Sequence, residues 1–188
     1  MLTTLAIEGY RSIRSLVLPL SPLTVVTGAN GSGKSSLYRS LRLLGAAARE
    51  GAIRALAAEG GFPGTLWAGP EAGAPTSGPV QGTVRKGPIA LRLGFGSDAA
   101  GFGYAMDLGI PIPATTMFWA DPEIKAEAVW GGSVLRNGSL VCERRGAIYR
   151  VRTDAGWQMA QRGLAPWESM LAEFGDMDAA PEVLGLRS

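Results

Sequence analysis

The sequence predicts a mixed α/β fold in which one strand–loop–helix unit packs with an antiparallel β region. Three observations predict it. An apolar, β-branched run over residues 23–27 ends at a glycine-rich loop, and an amphipathic helix follows that loop. Apolar residues alternate with period two between residues 89 and 108, and again between residues 140 and 151. The length of 188 residues, with 46% hydrophobic residues, suits one domain with a single core.

We predict that the whole chain, residues 1–188, forms one lobe with four successive parts. Strands, loop and first helix occupy residues 1–50, and a helix with a Gly/Pro-rich loop occupies residues 51–78. An antiparallel β region is expected over residues 79–160, and short helices over residues 161–188. Glycine and proline, at 27 and 12 residues, account for the many turns that this division requires.

The first part is predicted to hold three short strands before the loop. They are expected at about residues 3–8, 16–20 and 23–27, where apolar and β-branched side chains recur. The third strand leads into the loop. After the loop, Leu37, Leu41 and Leu44 recur at helical spacing, which predicts an amphipathic helix that ends at about residue 49.

The loop from Gly28 to Ser35 carries the full GxxxxGK[ST] pattern, the Walker A motif of a P-loop. Glycine at Gly28, Gly31 and Gly33 permits backbone conformations in which successive N–H groups point into one concavity and bind phosphate oxygens. The helix start adds partial positive charge. We therefore expect the loop to bind Mg-ATP, with Lys34 on the β and γ phosphates and the Ser35 hydroxyl on Mg²⁺. The predicted nucleotide contacts in this segment are Asn30, Gly31, Ser32, Gly33, Lys34, Ser35 and Ser36.

Two hairpins are predicted in the third part of the chain. The first pairs residues 89–95 with residues 102–108, because apolar residues occupy every second position on both sides of a turn near residues 97–101. The second spans residues 140–151 and turns at Arg145-Gly146.

Three further segments have weaker signals. Residues 51–57 are expected to extend the helical region before a Gly/Pro-rich surface loop. Residues 124–130 have both a helical composition and an alternating pattern, and we favour a strand. A short helix is expected at about residues 166–174, because proline suits the first turn of a helix.

Composition and charge restrict the partners only weakly. The formal net charge of +2 does not argue for nucleic acid, and for the outer face of the second hairpin, with Glu143, Arg150 and Arg152, a solvated sheet face is favoured over a nucleic-acid contact. Cys142 is the only cysteine, and the first residues lack the pattern of a secretory leader, so we expect a cytoplasmic protein. No apolar run approaches the roughly 20 residues that cross a bilayer, so no membrane span is expected.

The opening residues and the loop together carry a family resemblance. They read Leu5-Ala6-Ile7-Glu8-Gly9-Tyr10-Arg11-Ser12-Ile13 and, after an interval, Gly28-Ala29-Asn30-Gly31-Ser32-Gly33-Lys34-Ser35. This order resembles the start of the predicted AAA ATPases with ABC-type heads that are related to RecF, SMC heads and OLD nucleases. The resemblance covers roughly the first 45 residues. It implies that Arg11, and with it Ser12, lies beside the nucleotide; an exposed turn arginine is the alternative.

The resemblance also implies parts that this sequence does not contain. Heads of this family have an Asp-Glu pair at the end of a strand, a Leu-Ser-Gly-Gly type signature and a switch histidine. The sequence has no adjacent pair of carboxylates, no such signature and no histidine. The predicted fold is therefore an incomplete ABC-type head, a P-loop NTPase half-domain whose second, C-terminal lobe is missing.

Two functions remain open at this point. In the first, the chain is the ATP-binding part of an ATPase that, when whole, forms a head-to-tail homodimer across two ATP molecules and that hydrolyses nothing alone. In the second, it is a complete small P-loop phosphotransferase or GTPase that uses Asp121 as the carboxylate of the Mg²⁺ shell and requires a parallel sheet. Under the first function, Asp121 is only a turn residue between strands. The proline that follows it, Pro122, favours such a turn.

Overall fold

The computed structural model describes residues 1–67, 69, 90–98, 101–111, 121–160 and 162–173 of the chain. These residues form eight strands and four helices. The strands are β1 (Leu2–Tyr10), β2 (Ile13–Pro19), β3 (Ala90–Ser97), β4 (Phe102–Gly109), β5 (Glu123–Gly131), β6 (Leu140–Arg145), β7 (Ile148–Thr153) and β8 (Gly156–Met159). The helices are α1 (Lys34–Glu50), α2 (Ala52–Ala58), α3 (Phe62–Thr65) and α4 (Met170–Glu173).

All eight strands belong to one sheet, in the order β2-β1-β3-β4-β5-β6-β7-β8. Every neighbouring pair is antiparallel. The predicted hairpins are confirmed as β3–β4 and β6–β7, and the strand favoured for residues 124–130 is confirmed as β5. The N-terminal hairpin joins the same sheet because β1 lies between β2 and β3. The mixed fold with an antiparallel β region is therefore confirmed, and the described residues contain no parallel pair of strands.

The two faces of the sheet differ sharply in the size of their side chains. One face carries large buried residues such as Leu5, Leu93 and Met106, and α1 packs on it through Leu43 and Leu44. The other face has a row of small residues in direct register across four strands, namely Ala6, Gly94, Ala105 and Ala128. Successive residues of a strand point to opposite faces, so the alternation in the sequence specifies which face receives the helix.

A buried ion pair attaches the last described segment to the sheet. Arg144 of β6 and Glu127 of β5 have fully buried side chains, with Arg144 Nη1 3.2 Å from Glu127 Oε2. The Glu127 carboxylate also accepts hydrogen bonds from Ser169 Oγ (2.6 Å) and the Met170 N–H (3.0 Å). The Arg144 guanidinium donates to main-chain carbonyls of the same segment. Buried charges persist only when every polar atom has a partner, and here residues 165–170 supply most of those partners, with the Gly146 carbonyl and the Tyr104 hydroxyl supplying the others.

The strand predicted for residues 23–27 is wrong. The structure gives these residues no strand, and Leu23 and Val25 are exposed by 82% and 74%. A strand exists only when a neighbour takes its main-chain hydrogen bonds, and all the described strands pair with one another instead. This run has the apolar, β-branched composition of a strand, but none of the described strands pairs with it. A parallel P-loop sheet is therefore not confirmed.

The helix predicted at residues 166–174 is shorter than expected. It begins only at Met170, as α4, and residue 174 lies outside the described residues. The Ala165 N–H donates to Glu168 Oε2, and the Ala165 carbonyl accepts from Glu168 N–H and from Arg144 Nη2. These contacts form a turn in place of the first helical turn. The remainder of the short helices predicted over residues 161–188 falls after residue 173, outside the described part of the chain.

Candidate functional site

The glycine-rich loop lies directly before α1, as the sequence predicts. Gly31 and Gly33 have positive φ angles of 82° and 98°, and Gly33 is the residue that immediately precedes the helix. A side chain at Gly33 would be strained by this φ angle, and its Cβ would lie 3.4 Å from Ser12 Oγ. Glycine is therefore required where the chain turns into the helix. Within the described part of the chain, no side chain caps this helix terminus.

The Lys34 side chain folds back over the loop. Its Nζ atom donates to the carbonyl of Gly28 (2.6 Å) and to the carbonyl of Ala29 (2.7 Å). The Ser32 N–H closes the turn onto the Ala29 carbonyl at 3.3 Å. The ammonium group is thus held over the residues that are expected to surround a phosphate. An ammonium on a flexible stem can exchange carbonyl partners for phosphate oxygens with little movement.

The other predicted contacts surround the same loop. Asn30, Gly31, Ser32 and Ser35 are exposed at the surface. The Ser36 hydroxyl lies 2.8 Å from the Ser12 hydroxyl, which comes from the turn between β1 and β2. The structure therefore brings Ser12 beside the first turn of α1, and a position of residues 11–12 beside a nucleotide stays a prediction.

Arg11 has an unusual backbone conformation, and its side chain is paired with another residue. It is the one non-glycine residue with positive φ (47°) in the described ranges. Its N–H donates to the Thr65 carbonyl at 2.8 Å. Its guanidinium donates to the Glu59 carboxylate (2.7 Å) and to the Glu59 carbonyl (2.8 Å). Arg11 therefore precedes Ser12, which contacts Ser36, and its charge is paired with Glu59 at the end of α2.

Glu59 lies beside the candidate site, although no motif in the sequence points to it. Its side chain is only 5% exposed, and its carboxylate pairs with both Arg11 and Arg42. Burial acts to raise the pKa of Glu59, but hydrogen bonds from Arg42 and Arg11 outweigh burial, and the pKa lies below its ordinary value. Glu59 lies far along the chain from Arg11, so no local pattern could have revealed the pair. The spacing of Lys34, Tyr38 and Arg42 by four residues was the available signal for Arg42.

A cleft of about 500 Å³ opens along α1 from the loop. Its lining consists of Lys34, Ser35, Tyr38, Arg39 and Arg42, so three cations and one aromatic ring meet there. A larger groove of about 730 Å³ lies on the small-residue face of the sheet, and its described lining includes none of residues 28–36. We place the candidate site at the smaller cleft because its charges suit an anion, whereas the larger groove is mostly apolar.

The alternative role for Asp121 gains no support. Asp121 is exposed and lies two residues before β5, which is four positions from β2 in the sheet order. The parallel sheet which that role requires is absent from the described residues. Among these residues, no group of three or more Cys, Asp or Glu side chains is arranged to hold a metal ion. The Ser35 hydroxyl, together with phosphate oxygens and water, remains the donor set that fits Mg²⁺ here.

The basic hairpin face is occupied by contacts within the chain. Arg150 Nε donates to Glu143 (2.8 Å), and the Arg150 guanidinium lies 4.4 Å from the centre of the Trp157 ring. Arg152 donates to the carbonyls of Asn137 and Gly138. These contacts agree with a solvated sheet face. None of the helices in the described ranges has the length and apolar character needed to span a bilayer.

Comparison with known proteins identifies the region around this loop. Residues 4–45 match the family model described as an AAA domain. A stretch of 44 residues is 39% identical to an OLD nuclease from Thermus scotoductus (strain ATCC 700910 / SA-01). That stretch is 23% of this chain and 8% of the relative, so the likeness spans a small part of the OLD nuclease. Both findings support the interpretation of the N-terminal region as part of an AAA/ABC-like ATPase.

Proposed function

We propose that this chain binds Mg-ATP through residues 28–36, as the nucleotide-binding lobe of an ABC/RecF-like ATPase. The observation that carries the proposal is the start of α1 at Lys34, directly after the left-handed Gly33. This arrangement places the first-turn amides and the Lys34 ammonium around one loop. Backbone amides at a helix start and a lysine are the donors that a polyphosphate requires.

Each residue has a distinct role in this proposal. Lys34 transfers its hydrogen bonds from the Gly28 and Ala29 carbonyls to the β and γ phosphates. The exposed Ser35 hydroxyl coordinates Mg²⁺, which neutralises phosphate charge when it is bound. The remaining contacts are Asn30, Gly31, Ser32, Gly33 and Ser36 on the phosphates, and Arg11 at the side of the nucleotide.

The proposal includes a second lobe and a second head. The run 23–27 is mostly apolar, and Leu23 and Val25 are exposed, which favours a neighbouring strand supplied by a C-terminal lobe. The same lobe would supply the carboxylates for water activation, and a head-to-tail homodimer would close the site in the full protein. Nucleic acid as a partner has no support from charge, and we expect the protein to act in the cytoplasm.

The test is nucleotide binding by the chain and by two lysine variants. In Lys34→Ala the loop loses its ammonium, so we expect Mg-ATP to raise the melting temperature of the wild-type chain and to leave that of the variant nearly unchanged. Lys125→Ala is the matched control, because Lys125 lies on β5 and its ammonium is paired with Glu123. Equal shifts in wild type and Lys34→Ala would reject the proposed site.

A further inference from the structure

Glu59 connects the turn between β1 and β2 with helix α1, which begins at the glycine-rich loop. It ends α2, and its buried carboxylate pairs with Arg11 of the β1–β2 turn and with Arg42 of α1. Tyr10 adds a hydroxyl at 3.3 Å from Glu59 Oε2. One carboxylate therefore holds the turn and the helix at a fixed separation. Because it faces two guanidinium groups, the cluster keeps a net positive charge.

Both arginines are adjacent to groups of the proposed nucleotide site. Arg11 precedes Ser12, whose hydroxyl is 2.8 Å from the Ser36 hydroxyl. Arg42 lines the cleft that Lys34 and Ser35 also line. The positive φ of Arg11 is unfavourable for a residue with a side chain, and its guanidinium and N–H contacts hold it there.

We propose that Glu59 is a positioning residue of the nucleotide site, an inference that rests on the proposed function. It holds the left-handed turn at Arg11 against the first turn of α1, so that Ser12, Ser36 and the loop amides are ordered before nucleotide arrives. It also keeps Arg42 directed along the cleft. Glu59 has no contact with the ligand in this role, because its carboxylate is fully engaged with the arginines.

Removal of the carboxylate has a defined consequence. In Glu59→Gln, two guanidinium groups lie close together without a counter-charge, and the strained Arg11 loses its strongest side-chain contact. The turn and α1 then separate. Part of the free energy of nucleotide binding is consequently used to order the loop, and the affinity falls. A purely structural role of Glu59 would lower the melting temperature and leave the affinity of the folded chain unchanged.

The experiment measures the Kd for Mg-ATP by calorimetry at a temperature where circular dichroism shows every variant fully folded. We expect Glu59→Gln to bind roughly tenfold more weakly than wild type, the size of one charge-assisted hydrogen bond. Glu50→Gln is the matched control, because Glu50 is an exposed glutamate that faces Arg54 at 4.0 Å. Glu59→Asp keeps the charge and should recover part of the affinity. An unchanged Kd in Glu59→Gln would overturn the proposal.

A second measurement needs no nucleotide. Amide hydrogen exchange should accelerate in Glu59→Gln at Arg11, whose N–H donates to Thr65, and at Leu37, whose N–H donates to Gly33. If both amides exchange as slowly in Glu59→Gln as in wild type, the positioning role is overturned. Failure of the proposed function is recognised separately, because wild type and Lys34→Ala would then have the same Kd. If Glu59→Gln does not fold, Glu59→Asp carries both measurements, with the same directions expected.

Discussion

Buried polar side chains fix the geometry of this protein at the scale of single residues. Tyr104 donates to Glu127 Oε1 at 2.6 Å, and Glu127 in turn faces Arg144. Burial, and then the Glu127 carboxylate, raise the pKa of Tyr104 well above its ordinary value, so the hydroxyl remains a donor. The buried Glu127 and Arg144 side chains are stabilised by each other's charge. Removal of one partner from such a buried pair lowers the free energy of unfolding by about 3–5 kcal/mol.

Cys142 provides a test of this packing. It is the single cysteine of the sequence, and its side chain is fully buried on the core face of β6. Burial, and then the charge of Glu127, raise the pKa of the thiol to about 12. The thiolate is the reactive form, so at pH 8 we expect a disulfide reagent to leave the native chain unmodified and to label it fully in urea. Rapid labelling of the native chain would contradict the core position of Cys142.

At the scale of single elements, the glycine-rich loop and α1 carry the candidate site. Its helix was predictable, because the leucine spacing and the Walker A motif are local properties of the sequence. The hairpins were predictable for the same reason, since alternation requires only neighbouring residues. The run at residues 23–27 was not, because strand propensity does not say whether a partner strand exists. Glu59 was also beyond prediction, because tertiary contact alone joins it to Arg11 and Arg42.

Two glycines of this element should respond in opposite ways to alanine. Gly33→Ala introduces a side chain at φ 98° and should lower the free energy of unfolding by about 1–2 kcal/mol. Gly45 lies within α1, where an added Cβ would make ordinary contacts with the Arg49 side chain. Gly45→Ala should therefore raise the free energy of unfolding by up to ~1 kcal/mol. Urea denaturation without nucleotide measures both, and destabilisation by both would show that α1 is packed more tightly at Gly45 than described.

At the scale of the whole molecule, the described residues provide one half of a proposed catalytic site. The described residues supply a loop, a lysine and a hydroxyl, and they supply no pair of carboxylates near Ser35 to activate water. Hydrolysis depends on such positioning and electrostatics in addition to phosphate binding. A P-loop by itself is expected to retain nucleotide without committing it to reaction.

We therefore expect steady-state phosphate release by this chain to stay at the background rate at high protein concentration. Wild type, Lys34→Ala and Asp121→Asn should be indistinguishable. The comparison is sensitive to the alternative function, in which Asp121 completes the Mg²⁺ shell. Turnover by wild type that both substitutions remove would establish Asp121 as a metal-shell residue and reject the half-site interpretation.

The position of β1 between β2 and β3 has a consequence for the order of folding. β2 follows β1 after a short turn, but the register pairs Leu5 of β1 with Phe95 of β3, across a long stretch of chain. The hairpins from β3 to β8 can form from near neighbours, whereas the β1–β3 seam must first close a large loop. Closing this loop delays the docking of α1, because α1 contacts both β1 and β3. Refolding should accordingly be slow for a chain of this size, with the glycine-rich loop among the last parts to be ordered.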